Sequence, residues 1–354
     1  MLWDLFCRVI DNFGDIGVCW RLAADLGARG EAVRLWVDDA SALAWMAPGG
    51  APNVRCVEWH TDSELPEPGD VVVEAFGCDP PPAFVARMAR RAPPPLWINL
   101  EYLSAEAFVR RNHGLRSPQL AGPGRGLDKW FYYPGFESGT GGLLREPGLI
   151  DAQRGFDGRA WLRARGIVPH PGERLLSLFC YDGAPLPALL HALADAPALL
   201  LLTPGAAARA WRAAGAQARV AVPPSLRCIE LPWLAQPDYD RLLWACELNF
   251  VRGEDSFVRA QWAGAPFVWH IYPQHDAAHA AKLQAFLDLM LADADPSAAD
   301  PLRRLWLRWN GLQPGPLALP EPGPWRALAR GWRDRLLAQP DLGTQLLGFV
   351  AEKS

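Results

Sequence analysis

The chain is short of positive charge: 35 Lys and Arg stand against 39 Asp and Glu, a net charge of −4. Without a basic excess there is no electrostatic footprint for a nucleic-acid partner, because that affinity comes from many cationic phosphate contacts. No apolar run reaches 18 residues, so no membrane-spanning helix is expected. The seven cysteines, at 7, 19, 56, 78, 180, 228 and 246, form no C-x-x-C pair. Several lie in apolar runs such as Leu175–Tyr181, where a reduced cysteine behaves as a small core residue. Met1–Ile10 carries Asp4 and Arg8 in place of a basic-then-apolar secretory pattern, and a cytoplasmic location is expected. No internal repeat of fixed period is found. Gly (32) and Pro (34) together make about 19% of the chain, below the ~25–30% of low-complexity sequences.

What is present is an ordinary globular composition, 50% hydrophobic and 21% charged over 354 residues. That length is about 2.4 times a ~150-residue domain, so two domains are expected, each able to bury a core without disulfides or metal. Short apolar runs alternate with amphipathic stretches. Strands are expected at Leu2–Ile10, Ala32–Val37, Asn53–Trp59, Asp70–Phe76 and Leu96–Glu101, with helices at Val18–Ala28, Ser41–Met46, Ala83–Arg91 and Ser104–Asn112. The second half repeats the scheme, with strands at Leu175–Tyr181, Ala198–Thr203, Leu226–Leu231, Glu247–Arg252 and Phe267–Tyr272. Its helices are expected at Leu186–Ala196, Ala206–Ala214, Tyr239–Cys246, Phe257–Ala263 and Ala277–Met290. Such alternation predicts an α/β protein with parallel sheets covered by helices, arranged as two doubly wound domains that face each other. Gly114–Gly155, rich in Gly and Pro, reads as a long loop and linker. Beyond Leu291 the chain turns helical, with Trp306, Trp309, Trp325 and Trp332 as packing residues. The last segment, Leu342–Ala351, is a candidate to close back on the first domain.

Chemistry is expected at three places. The first is Asp11-Asn12-Phe13-Gly14-Asp15-Ile16-Gly17, between the first strand and the first helix, where ligands of doubly wound domains sit. Taken singly, Asp11 reads as a turn residue and Asp15 as a helix N-cap. The segment lacks the G-x-G-x-x-G fingerprint, and two carboxylates repel a pyrophosphate, so it suits an acceptor or a proton better than a phosphate. The second is Arg252-Gly253-Glu254-Asp255-Ser256-Phe257, a strand end running into a helix, with Ser256 as cap. Its backbone N–H groups and Arg252 make an anion site for a phosphate, although a merely capped helix reads the same way. The third is His275-Asp-Ala-Ala-His279, which resembles the zinc spacing H-E-x-x-H with no third ligand nearby; an exposed or capping pair is the preferred reading. Trp233, Gln236 and Tyr181, near strand ends, are candidates to stack on and hydrogen-bond to a base, or ordinary packing residues.

Taken together, three segments closely resemble the bacterial protein-arginine rhamnosyltransferases that modify elongation factor P (the EarP family). They are Asp11-Asn-Phe-Gly-Asp-Ile-Gly-Val18, Trp97-x-Asn99-x-Glu101-Tyr-Leu-Ser104 and Arg252-Gly-Glu-Asp-Ser-Phe-Val-Arg-Ala-Gln261. Trp269-His-Ile-Tyr-Pro-Gln274 and Pro232-x-x-x-Gln236 match as well. The resemblance implies a B-type glycosyltransferase fold, two Rossmann-like domains with the site in the cleft between them. It implies a first domain over residues 1–150 joined by a C-terminal helix 340–354, a linker at 151–171 and a nucleotide-sugar domain at 172–339. It further implies dTDP-β-L-rhamnose as donor, an arginine of elongation factor P as acceptor, inversion at the anomeric carbon, and no metal or cofactor. The family's catalytic carboxylates fall on Asp15 and Glu254, with Asp11 beside the first. Donor contacts fall on Asn12, Phe13, Gly14, Tyr181, Gln236, Arg252, Gly253, Asp255 and Ser256. Trp233 stands where the family usually places a thymine-stacking Phe. Other readings are a different nucleotide-sugar enzyme of the same architecture (an epimerase or a small-acceptor transferase), a non-catalytic protein that binds a nucleotide or elongation factor P, and a zinc hydrolase built on His275 and His279.

Overall fold

Ala198–Leu202 reads Ala-Leu-Leu-Leu-Leu and is buried at every position, as a parallel strand covered on both faces must be. Val71–Ala75 is the counterpart in the first half, also buried throughout. These two strands belong to separate sheets. The computed structural model describes residues 1–10, 13–60, 65–216, 223–274 and 278–353. It divides into two units, Met1–Pro147 with Leu336–Ser354, and Gly148–Arg335.

The first unit runs β1 (Leu2–Cys7), α1 (Gly14–Ala28), β2 (Ala32–Val37), α2 (Leu43–Met46), β3 (Val54–Glu58), β4 (Val71–Ala75), α3 (Pro82–Met88), β5 (Leu96–Leu100), α4 (Phe108–Asn112), β6 (Leu115–Pro118) and β7 (Asp128–Tyr132). Its seven strands lie in the order β3-β2-β1-β4-β5-β7-β6, all parallel except β6, which pairs antiparallel with β7. The chain order reverses between β1 and β4. Buried Asp4 on β1 accepts Nε and one terminal nitrogen of the Arg34 guanidinium on β2 at 2.6 and 2.7 Å, the indole of Trp36 and the amide of Gly69. Four donors on one carboxylate meet the condition for burying it.

The second unit runs α5 (Leu149–Arg154), α6 (Gly158–Arg163), β8 (Arg174–Leu178), α7 (Leu186–Ala192), β9 (Ala198–Leu202), α8 (Ala206–Ala216), β10 (Leu226–Glu230), α9 (Gln236–Ala245), β11 (Leu248–Arg252), α10 (Asp255–Ala263), β12 (Phe267–His270), α11 (Ala278–Met290), α12 (Pro296–Trp309) and α13 (Pro322–Leu337). Its sheet is parallel throughout, in the order β10-β9-β8-β11-β12. Counted within the unit this is again 3-2-1-4-5, with the reversal between β8 and β11. The four tryptophans of α12 and α13 expected to pack are buried, and Phe286 stacks on Trp306. The last helix, α14 (Leu342–Lys353), belongs to the first unit, where Leu342, Leu346 and Val350 enter the core beside α1.

Two expectations need correction. Residues 114–155 are not one long loop: β6 and β7 lie there and extend the first sheet. Their strand signal is weak because both are short and the Gly- and Pro-containing stretch Gly122–Gly126 interrupts the pattern. The stretch 151–171, expected as a linker, holds most of α5 and all of α6, and Leu162 and Ile167 are core residues of the second unit.

Candidate active site

Ligands of doubly wound sheets bind outside the carboxyl ends of the strands, where the strand order reverses. In the first unit that place is the end of β1 and β4. Asp11 and Asn12 lie outside the described residues. Phe13 is the residue before α1, whose first turn contains Gly14, Asp15 and Gly17, so these glycines are helical and not loop residues. Asp15 is therefore not the N-cap. It sits in the first helical turn, only 3% exposed, and its Oδ2 accepts the amide of Ile10 at 2.8 Å. Its Oδ1 accepts the hydroxyl of Tyr102 at 3.3 Å. The carboxylate thus ties the strand-end loop to the segment after β5. Phe13 packs edge-on against Trp45 at 5.2 Å, in an aromatic role on the helix flank.

The segment Trp97–Ser104 supplies the other wall. Trp97 and Asn99 are buried on β5. Asn99 accepts the amide of Gly77 at 3.1 Å and donates to Glu101 at 2.8 Å. Burial pushes the Glu101 carboxyl above its usual range, opposed by the Asn99 bond and by Lys129. After β4 the chain turns through Phe76 and Gly77, at φ 58° and 65°. A left-handed phenylalanine is uncommon, and the position is held by Phe76 donating its amide to Leu100 and by its ring stacking on Tyr102 at 4.2 Å and 11°. Sequence reasoning assigned nothing to Phe76 or Tyr102. The Phe-Gly pair at a strand end, and the tyrosine within a motif already singled out, were the signals available.

In the second unit the corresponding place is the end of β8 and β11. Arg252 ends β11, and its guanidinium carbon lies 4.5 Å from the Phe179 ring and 4.6 Å from that of Tyr181. Two aromatic faces after β8 thus hold a cation at the switch point. Gly253 takes φ 65°, turning the strand into α10, and its carbonyl accepts the Trp269 indole at 2.9 Å. Helix α10 begins at Asp255 with Glu254 at the cap position, so Ser256 is not the cap. The Ser256 hydroxyl is directed instead at the main chain of Arg252, donating to its carbonyl and accepting its amide. Gln236, the first residue of α9, donates to Asp255 at 3.3 Å. Trp233 lies on the preceding loop, 46% exposed. Tyr181, Gln236, Arg252, Gly253, Glu254, Asp255 and Ser256 are thus gathered on the strand ends of one unit, and Asp15 lies on those of the other.

The same ten-residue run also contains scaffold. Buried Arg259 makes paired bonds to Asp240 at 2.9 and 2.7 Å, tying α10 to α9. Gln261 accepts the Trp332 indole at 2.7 Å. His270, at the end of β12, was quoted within a motif but given no role. Its Nδ1 accepts the amide of Tyr181 at 3.2 Å, and burial, followed by the charge of Arg252, lowers its pKa to about 4. A neutral imidazole with Nδ1 as acceptor carries its proton on Nε2. Of the histidine pair, His279 accepts the Gln274 amide at 3.1 Å, and His275 lies outside the described residues.

Two doubly wound sheets, a seven-stranded one whose order begins 3-2-1-4-5 and a five-stranded one of that order, have the architecture of a B-type glycosyltransferase fold, with a carboxylate at one switch point and a guanidinium and a helix N-terminus at the other. Solved structures of that fold agree. The spinosyn rhamnosyltransferase SpnG, with spinosyn aglycone, matches at TM-score 0.55 and 14% identity, covering 98% of this chain and 99% of the other. The glycosyltransferase SnogD from Streptomyces nogalater matches at 0.53 and 17%, covering all of both. The model of the family described as Elongation-Factor P (EF-P) rhamnosyltransferase EarP matches residues 3–351, and the chain belongs to that family. It is 45% identical to the protein-arginine rhamnosyltransferase of Pseudomonas aeruginosa, over 99% of both chains. It is 38% identical to that of Neisseria meningitidis, over 98% of this chain and 96% of the relative. A structure concerned with EarP-mediated arginine glycosylation of translation elongation factor EF-P matches at TM-score 0.67 and 32% identity, covering 100% and 99%.

Proposed function

We propose that this chain is a protein-arginine rhamnosyltransferase that moves L-rhamnose from dTDP-β-L-rhamnose to an arginine of elongation factor P. The transfer inverts the anomeric carbon, needs no metal, and takes place in the cytoplasm. The observation that carries the reading is the gathering of Tyr181, Gln236, Arg252 and Asp255 at the switch point of the second sheet, in a chain matching its family from residue 3 to 351.

The acceptor sets the chemical difficulty. A guanidinium has a pKa of ~12.5–13.8, so removing its proton outright at neutral pH costs about 7–9 kcal/mol. A buried carboxylate fixed on two sides, as Asp15 is, supports a cheaper route. The guanidinium nitrogen forms its bond to C1 of the sugar while the C1–O bond to the diphosphate breaks. The electron pair leaves with dTDP, and Asp15 accepts the nitrogen's proton as the N–C bond forms. Asp11 and Glu254 supply further negative charge for the acceptor and the reacting sugar. On the donor side, Arg252, Gly253 and the N-terminal amides of α10 stabilise the charge that develops on the diphosphate. Gln236 and Trp233 meet the thymine, and Tyr181, Asp255, Ser256, Asn12, Phe13 and Gly14 serve the remainder of the donor. Among the described residues no group of three or more His, Cys, Asp or Glu is placed to hold a metal ion. No described helix is long and apolar enough to cross a membrane.

Intact-mass analysis of elongation factor P after incubation with enzyme and dTDP-L-rhamnose tests the reading, with fragment spectra locating the adduct. One deoxyhexose on one arginine is expected, in an anomeric configuration opposite to the donor's, and turnover is expected to survive exhaustive EDTA. Donor consumption with unmodified elongation factor P points to another nucleotide-sugar enzyme. Donor binding without turnover points to a binding protein. Activity restored after EDTA only by a divalent ion overturns the metal-free mechanism.

A further inference from the structure

Around Asp15 the first unit combines features that a proton acceptor alone does not require. The carboxylate is buried, yet two groups that hydrogen-bond to it belong to exposed hydrophobic residues, Ile10 at 72% and Tyr102 at 39% exposure. Phe76 covers one face of the Tyr102 ring in a near-parallel stack. To do so Phe76 adopts a left-handed backbone, a conformation disfavoured for any L residue with a Cβ and found disproportionately at ligand sites. The turn is then held by Leu100 and by Asn99, both on β5, the strand that leads into Tyr102. A strained turn, a buried asparagine and a supporting ring therefore converge on the position of one tyrosine side chain, whose hydroxyl ends on Asp15.

A guanidinium is planar, delocalised and weakly hydrated, and it stacks on aromatic faces far more readily than an ammonium does. Its edge presents N–H donors in the plane of the stack, so a guanidinium lying on a ring directs hydrogens toward a carboxylate at the ring's rim. We propose that Tyr102, backed by Phe76, is the stacking platform for the acceptor arginine, and that its hydroxyl orients Asp15 toward the nitrogen that attacks. Glu101, its neighbour in sequence and fixed by Asn99, adds a carboxyl to the same strand end. The side chain thus has two separable functions: the ring binds the acceptor, and the hydroxyl positions the base.

The inference rests on the reading of the chain as an arginine rhamnosyltransferase with Asp15 as base, and the experiment separates the two. Steady-state transfer to elongation factor P is measured for wild type, Tyr102→Phe, Tyr102→Leu and Phe76→Gly, with thermal unfolding of each as the control of folding and dTDP affinity as the readout of the donor site. Wild-type enzyme that fails to modify arginine refutes the reading itself, whatever the variants do. With active wild type, Tyr102→Phe keeps the ring and is expected to retain the acceptor KM while kcat falls about tenfold, the lower end for a bond to a charged group because the contact is long. Its pH–rate profile is expected to shift on the limb that reports the base. Tyr102→Leu loses both functions, so KM for the acceptor rises about 2- to 30-fold in addition, the range of a cation–π contact. Phe76→Gly removes the support while tolerating the left-handed backbone, and is expected to raise KM without the pH shift. Wild-type KM in Tyr102→Leu overturns the platform. Wild-type kcat and pH profile in Tyr102→Phe overturn the positioning of Asp15. Loss of dTDP binding in any of the three overturns the assignment of Tyr102 to the acceptor alone.

Discussion

The two units share the order of five strands, to which the first adds two more, and place opposite charges at the switch point. In the first, β1 and β4 end beneath a carboxylate with exposed apolar residues beside it and a left-handed phenylalanine next to it. In the second, β8 and β11 end beneath a guanidinium in contact with two aromatic rings, followed by a helix N-terminus. The topology provides a place for a ligand in both cases, and a few side chains at strand ends decide which ligand. Under the proposed function, the first arrangement suits a cationic acceptor and the second a diphosphate, so one architecture used twice would serve both substrates of a transfer.

The surroundings of the two places differ too. The strand ends of the first unit are open, with Ile10 and Tyr102 exposed, which suits the proposed delivery of a side chain by a protein partner. The strand ends of the second unit are embedded in a network: Asp240 with Arg259, His270 with the Tyr181 amide, Trp269 with the Gly253 carbonyl. Pre-organisation of that kind lowers the ordering cost of binding a flexible nucleotide sugar.

The sharpest way to break this division is at Asp15. Asp15→Asn is expected to slow transfer by about 10²- to 10⁴-fold, the usual contribution of a general base, as read by the mass-shift assay. Next in size is the scaffold of the donor side. Arg259→Ala removes the guanidinium that pairs with the buried Asp240 carboxylate, at a cost of about 3–5 kcal/mol, and a fall in Tm of about 6–20 °C follows by calorimetry. A Tm within about 2 °C of wild type would show that the pair carries little of the unit's stability.

A third test uses pH. The folded pKa of His270 is about 4, against ~6.5 when unfolded, so between these values the unfolded chain binds the extra proton. Stability is therefore full above about pH 6.5 and falls by about 3 kcal/mol as pH drops toward 4. Asp25 in the first unit works in the opposite sense, because burial raises its carboxyl to about 6. A local readout is needed for that reason. An NMR titration of the His270 ring is expected to show a midpoint near 4, and a midpoint near 6.5 would remove the neutral acceptor of the Tyr181 amide. The smallest effects distinguish two neighbours at the diphosphate. Arg252→Ala is expected to weaken dTDP binding by about 10- to 150-fold. Ser256→Ala is expected to cost less, because its hydroxyl is already directed at the Arg252 main chain. Equal losses would mean that the hydroxyl leaves that partner when the donor binds.

All ten expected strands are present: most are short, largely apolar buried runs bounded by breakers, and the less buried β3 and β10 are short runs of mixed polarity, all legible without knowledge of partners. β6 and β7 escaped because Leu115–Pro118 and Asp128–Tyr132 are short segments that alternate too briefly among Gly and Pro. The helix starts were misread at both motif loops for one reason. Asp15 and Ser256 are good cap residues by type, yet the helices begin at Gly14 and Asp255, one residue ahead of each. The side chains then serve Ile10, Tyr102 and Arg252. The Phe76-Gly77 pair signals a turn after β4, but not that the phenylalanine itself adopts the left-handed backbone to support a tyrosine in a different strand's loop. That arrangement depends on Asn99 and Leu100, which only the folded sheet brings beneath the turn.

The division of labour between the two ends is tested most directly by titrating dTDP into Asp15→Asn by calorimetry, alongside Arg252→Ala. If Asp15 serves the acceptor and its proton, the affinity of Asp15→Asn stays within about threefold of wild type while transfer is lost. A loss of dTDP affinity as large as that of Arg252→Ala would place Asp15 in the donor site and contradict the assignment.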